Sequence, residues 1–324
     1  MNDQPVSKGG WIDTVARRME MHHREQPSSM RRSSPSVTPR RRRVAAGDVG
    51  AQIIRIIGWI LIIGWSFFSI FAFAWVVMTS LKSNHELFAN VWQLPKEPQW
   101  SNYVKVWTLS QLGTGFANSM LLVLSSVATL VVVGSPAAYV LARKPFKGSN
   151  ALTYLFTFGM GIPSQLLLVP LFFLMFKMKL IDSLFGLAII YVAMSLPFSI
   201  FYLVGFFKTL PGELEEAAMI DGCTSFQAFR KIMLPLASPG VLTVSIFNFL
   251  FLWNDFLLAL TFLSSNDKFT LSLGLFGLKG TMQYTGDWVG LFAGFTVIML
   301  PILVVYLFLS NQMVEGLSAG ATKG

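Results

Sequence analysis

Charged side chains are scarce in this sequence: Asp, Glu, Lys and Arg make up 13% of its 324 residues, against about 25% in an average soluble protein. So little charge cannot cover a water-facing surface, and a membrane protein is the expectation. The same scarcity, beside 53% hydrophobic residues, excludes disorder over most of the length, because unfolded chains are rich in charge and poor in apolar side chains. Cysteine is almost missing. Cys223 is the only one, so the chain cannot form a disulfide with itself. Histidine occurs three times, at His22, His23 and His85, none with a metal partner at a usable spacing, and no metal ligand set is expected. No nucleophile sits beside a nameable base, so no catalytic residue is assigned and the chain is not expected to be an enzyme. A phosphate-cradling G-x-x-x-x-G-K-[ST] is absent too, although residues 274–280 hold three glycines in another order. Ionisable groups inside apolar runs come down nearly to Asp255. A secondary transporter driven by protons or sodium calls for more of them, which weakens that alternative without removing it.

What is present is unevenly placed. Residues 1–52 hold ten Lys and Arg, including the run 40–43, against five acids. This Ser- and Pro-containing stretch has too little apolar surface to offset the entropy of ordering, so it reads as a basic, disordered tail. The arginine run suits nucleic acid or the flank of a membrane span; attraction to anionic inner-leaflet lipid favours the second, and no nucleic-acid partner is expected. A cleavable signal peptide is not expected, because the first apolar run starts near Ile53 and is too long for one.

A bilayer core of about 30 Å needs roughly 20 apolar residues in a helix. Six such runs lie near 53–78, 115–140, 151–176, 184–206, 240–263 and 287–309. All must be helical, since strands would leave N–H and C=O groups unpaired in lipid. Pro136, Pro163, Pro170, Pro197 and Pro301 each remove an intrahelical hydrogen bond, so kinked or broken spans are expected. With the N-terminus in the cytoplasm, inner segments hold eighteen of the 25 Lys and Arg, every arginine among them, and outer loops hold seven. That split predicts an all-α protein of the inner (cytoplasmic) membrane, six spans over 53–324, both termini cytoplasmic.

The inner loop 207–238 is the most informative stretch. Pro211 suits a first helical position, and Glu213, Glu215 and Glu216 suit the positive end of a helix dipole. Gly222 ends that helix, Thr224 and Gln227 form a capping-box pattern for a second, and Pro235 limits it. Such a helix, with Ala217, Ala218, Leu214 and Ile220, can lie in a partner's groove, or can be an ordinary solvated loop.

In the fifth run, Asn248 and Asp255 are seven residues apart, which in a continuous helix brings them within roughly 20° of one face. With Asn254 they are candidates for a translocation path that suits carbohydrate hydroxyls, Phe251 and Trp253 supplying apolar surface. The alternative is that Asp255 pairs with a neighbouring helix or caps a break.

Glu216-Ala217-Ala218, three residues, Gly222, nine residues, then Ile232, Leu234 and Pro235 resembles the EAA motif of ATP-binding-cassette (ABC) importer permeases. Leu94-Pro95, Asn102-Tyr103, residues 137–148 (AAYVLARKPFKG), 196–201 (LPFSIF), 253–256 (WNDF) and the closing EGLSAGATKG make residues 53–324 similar to the carbohydrate-uptake branch, the maltose type. Cys223 stands where that family usually has a small residue such as alanine. The resemblance implies a transport subunit that pairs with a second, homologous permease, sits on a dimer of ABC ATPases that hold the ATP and Mg, and receives solute from an extracytoplasmic binding protein. It assigns Glu216, Ala217, Ala218, Asp221, Gly222, Leu234 and Pro235 to the segment that couples to the ATPase. Permeases for glycerol phosphate, peptides or amino acids share this pattern and remain open as alternatives.

Overall fold

The computed structural model describes residues 46–108 and 111–321, and the expected basic tail lies almost entirely outside them. The chain divides into two compact units, residues 1–64 and 65–324. The first unit's described part is the opening of helix α1 (Ala46–Ser80). Within the second unit, α1 ends at Ser80 and is followed by α2 (Asn84–Ala89), α3 (Ser101–Thr108), α4 (Leu112–Arg143), α5 (Ser149–Met160), α6 (Ser164–Lys177) and α7 (Leu184–Thr209). Then come α8 (Glu213–Ile220), α9 (Ser225–Ala228), a π-helical turn (Phe229–Met233), α10 (Leu234–Leu236), α11 (Ser238–Trp253), α12 (Leu257–Phe262), α13 (Leu271–Thr285) and α14 (Trp288–Ala321). No strand occurs among the described residues.

Among the described residues, four helices are long and apolar enough to cross a membrane, at Gly50–Ser80, Leu112–Arg143, Leu184–Thr209 and Trp288–Met313. Two further apolar segments are bent pairs, which raises the count to six if each pair is one span. One pair, α5 with α6, turns by 103°, and the other, α9–α10 with α11, turns by 71°. The third and fifth runs are therefore not straight spans. Pro163 sits at the first bend as the residue before α6, while Pro136, Pro170, Pro197 and Pro301 all lie inside helices that continue past them. Losing one N–H tilts a helix without ending it when the flanking bonds survive.

The centre of the second unit is α4 against α7. Small side chains let them approach: Gly134, Ser135 and Ala138 on α4, with Ser195 and Ser199 on α7, all buried. A Cβ on Gly134 would already touch Leu196 and Ser199 at 3.8–3.9 Å. Small residues at helix contacts give the close van der Waals packing that lipid, itself apolar, does not drive. One apolar cluster fills the half containing Leu122, Leu187, Tyr191, Trp253, Phe262 and Leu271. A second, around Tyr139, Leu203, Phe207, Phe229 and Met233, fills the half beside the 207–238 loop.

Polar clasps join the elements at the far end. Asp182 accepts from the backbone N–H groups of Ser264 and Ser265 at 2.9 and 3.0 Å and pairs with Lys268 at 2.9 Å. Asp287 pairs with Lys105 and accepts from Asn84, fixing the start of α14 to α2 and α3. From α4, Asn118 donates to the carbonyls of Asp267 and Phe269, and Ser119 accepts from the N–H of Leu271 at 2.8 Å. The stretch read from the sequence as an outer loop, 264–286, thus contains a helix, α13, whose Leu271, Leu273, Leu275 and Leu278 are buried.

Candidate functional site: the 207–238 loop and the polar interior

The loop folds as a capped helix pair. Its first helix starts at Glu213, two residues after Pro211, with Gly212 as the flanking residue and no side-chain cap. Glu213, Glu215 and Glu216 in the first turn take the place of a cap by facing the positive end of the dipole. The end of α8 is a Schellman turn. Gly222 adopts φ +83°, its N–H reaches the Met219 carbonyl at 3.2 Å, and the Cys223 N–H reaches the Ala218 carbonyl at 3.0 Å. The second helix opens with the full capping box: Gln227 N–H donates to Thr224 Oγ1 at 3.3 Å and Thr224 N–H to Gln227 Oε1 at 2.8 Å.

Beyond α9 the helix widens into the π-helical turn before Pro235, a device the sequence reading did not anticipate. Leu234 N–H bonds back to the Phe229 carbonyl, five residues earlier. Of the residues singled out from the motif, Glu216, Ala217, Asp221, Gly222 and Pro235 are exposed, Leu234 is half-buried, and Ala218 is buried. Leu214, Met219, Ile220 and Phe226 are also exposed, Ile220 to 86%.

Glu215, which the motif spacing did not pick out, is buried. Its Oε1 accepts from Tyr139 Oη at 2.7 Å and pairs with Lys144 Nζ at 2.7 Å. Burial pushes its carboxyl up, but hydrogen bonds from Lys144 and Tyr139 and the nearby Arg143 charge outweigh that and hold it below the usual carboxylate range. Arg143 itself bonds the Leu210 carbonyl. The Tyr139 ring stands 5.0 Å from Phe229 and 5.8 Å from Phe207, centre to centre. The signal in the sequence was the placement of Glu215 three residues before the small, inward Ala218, on the same helix face.

The three interior candidates are not brought together. Helix α11 ends at Trp253 with Asn254 as its C-cap, so the helical register that aligned Asn248 with Asp255 does not reach Asp255. Asn248 is buried and donates to Ser199 Oγ and the Val244 carbonyl, both at 2.9 Å. Asp255 accepts from Tyr191 Oη at 2.8 Å and from the N–H groups of Leu258 and Ala259, which restart the chain as α12. Asn254 is exposed and bonds back to the Leu250 carbonyl. Trp253 is buried, stacked on Phe249 and bonded to the Ile298 carbonyl, whereas Phe251 is exposed. Among the described residues no group of three or more His, Cys, Asp or Glu is placed to hold a metal.

Residues 131–317, which include the helix pair, match the family model of the binding-protein-dependent transport system inner membrane component. A diacetylchitobiose uptake system permease of Streptomyces coelicolor is 38% identical over 260 residues, covering 80% of this chain and 86% of that one. An arabinooligosaccharides transport system permease of Halalkalibacterium halodurans is 34% identical over 276 residues, 83% and 98% of the two chains. A trehalose transport system permease of Mycobacterium tuberculosis is 35% identical over 231 residues, 71% and 84%. A crystal structure of a bacterial ABC transporter that imports alginate contains a chain of the same fold, at a TM-score of 0.70 and 21% identity over 81% of this chain and 97% of that one. With its apolar helices, and with the capped 207–238 pair inside the matched residues, this chain belongs to the family of binding-protein-dependent transport system inner membrane components, the permeases of ABC importers.

Proposed function

We propose that this chain is one of two permease subunits of an ATP-driven importer for a sugar or oligosaccharide. A binding protein delivers the solute from outside, and a dimer of partner ATPases, holding ATP and Mg, docks on the 207–238 loop. The observation that carries this reading is the helix pair itself. It is capped at the end of α8 by the Gly222 turn and at the start of α9 by Thr224, and is anchored inward by Glu215 and Ala218, yet it leaves Leu214, Met219, Ile220 and Phe226 exposed. Capped helices with an uncovered apolar face suit the groove of another protein. The solute class follows from relatives whose names specify diacetylchitobiose, trehalose and arabinooligosaccharides. In this reading the chain crosses the membrane six times with both termini in the cytoplasm.

The test is uptake of labelled diacetylchitobiose, trehalose and arabinooligosaccharides by a deletion strain with and without the restored gene, together with cross-linking from a cysteine at Ala217 to the ATPase. Restored uptake of one of these and a cross-linked product are expected. Restored uptake of a peptide or glycerol phosphate in their place overturns the solute class, and no cross-link overturns the docking surface.

A further inference from the structure

The buried carboxylate of Glu215 lies outside the residues the motif assigns to docking, and it faces away from the exposed side of α8. Its partners come from the C-terminal end of α4, Tyr139 within the helix and Lys144 at its C-cap. Tyr139 and Arg143 are four residues apart on α4 and so share a face. Tyr139 bonds Glu215, Arg143 bonds the Leu210 carbonyl just before α8, and Lys144, at the C-cap of α4, pairs with Glu215 and lies 3.6 Å from Met219 Sδ. The Tyr139 ring meanwhile packs on Phe229, the first residue of the π-helical turn. The C-terminal end of α4 thus grips the entry to α8, the middle of α8 and the π-helical turn that follows α9.

Helix α4 then runs unbroken for 32 residues, about 48 Å at 1.5 Å per residue. Its other end holds the far-side turn before α13 through Asn118 and Ser119. Pro136 lies between the two ends without ending the helix, and a continuous hydrogen-bonded helix carries a displacement imposed at one end toward the other. The joint at the loop has to resist being pulled apart. A hydrogen bond and an ion pair on one carboxylate oxygen are charge-assisted contacts, stronger than neutral ones; the Tyr139 bond is buried, while the Lys144 side chain stays partly exposed.

Building on the docking role proposed above, we propose that Glu215, held by Tyr139 and Lys144, is the positioning residue that transmits movement of α8 to α4. It does so without touching the ATPase. The docking face binds the partner, and the Glu215 joint converts that binding into motion of the long helix.

The test uses the whole transporter, both permeases with the ATPase dimer, in lipid nanodiscs. Three measurements are made on each variant: cross-linking from a cysteine at Ala217 to the ATPase, recovery of the assembled complex, and the ratio of stimulated to basal ATP hydrolysis. Stimulation comes from the binding protein loaded with diacetylchitobiose, trehalose or arabinobiose, according to which is taken up. Glu215→Gln and Tyr139→Phe should keep the cross-link and the assembly while lowering the ratio, by roughly tenfold for Glu215→Gln, within the usual span of coupling factors. The exchanged pair Lys144→Glu with Glu215→Lys should recover most of the ratio, which a merely structural loss does not explain. A normal ratio in both single variants overturns the proposal. So does a fall in the ratio matched by lost assembly and not recovered in the exchanged pair. Absence of the Ala217 cross-link in the unmodified complex overturns the docking reading itself, and is thereby told apart from failure of the Glu215 joint.

Discussion

Gly222 and Gly240 show how much rests on a missing methyl group. Gly222 sits at φ +83° with open space around it, so its requirement is conformational and not steric. Replacing it with Val forces a β-branched residue into the left-handed region at a cost of roughly 1–2 kcal/mol and opens the Schellman turn. Uptake should fall while the protein remains in the membrane, read by transport assay beside an immunoblot of the membrane fraction. At Gly240 the backbone is ordinary, but a Cβ would stand 2.5 Å from the Phe206 ring. Gly240→Ala should destabilise by about 1–3 kcal/mol through overpacking, seen as a lower melting temperature in detergent. Asp182 offers a pH-dependent counterpart. Its hydrogen bonds from Ser265 and Ser264 and the Lys268 contact hold its carboxyl well below the usual carboxylate range. A depressed native value means that the contribution is present above the unfolded value of about 3.9 and is lost as pH falls below it. Asp182→Asn should therefore lower stability near neutrality, and the gap from the unmodified protein should narrow in melts taken below pH 4.

At the scale of elements, the long apolar helices and the capped pair were legible in the sequence because their signals are local. Run length marked α1, α4, α7 and α14, and the Thr224 and Gln227 spacing marked the start of α9. The break in the run 240–263 was legible in part, since the polar pair Asn254 and Asp255 interrupts it and a cap at Asp255 was one of the two readings. The bonds of Asp255 to Tyr191 and to the α12 backbone decide for the break over the continuous helix. Five prolines were read as sites of kinks or breaks: Pro163 stands at a bend, and the other four lie inside helices that continue past them. Helix α13 was missed because its leucines are interspersed with glycines and stop at Lys279, in a stretch too short to span. Its start depends on α4, where Ser119 accepts the buried N–H of Leu271. Ser119→Ala leaves that donor without its partner, which costs about 1–3 kcal/mol. Faster amide exchange at Leu271, with little change elsewhere, is the expected signature.

For the whole molecule, the sorting of Lys and Arg to one side predicts an orientation that labelling can read. In a Cys223→Ala background, single cysteines at Ser101 and Asn266 should react with a membrane-impermeant thiol reagent added to intact cells, and one at Asn150 should not. Ser101, in α3 before α4, Asn150, in α5 after it, and Asn266 are all exposed, so failure to react reports the side of the membrane and not burial. Reaction at Asn150 reverses or breaks the six-span topology. The polar clasps at the Ser101 end and the Tyr139–Glu215–Lys144 joint at the other make the two faces chemically different, although nothing in their hydropathy separates them.

The bend between α5 and α6 bears on how such a protein is made. Neither side of it carries a side-chain cap, and Met160, Gly161, Ile162 and Pro163 are exposed. Helix ends leave carbonyls and N–H groups without intrahelical partners, and acyl chains offer them nothing. A newly inserted copy is therefore unfinished until protein or water covers that elbow, which makes it a natural target for membrane quality-control proteases. On the proposed pairing with a second permease, the chain synthesised alone should be cleared quickly, and pulse-chase labelling should show its lifetime lengthen when that permease is supplied.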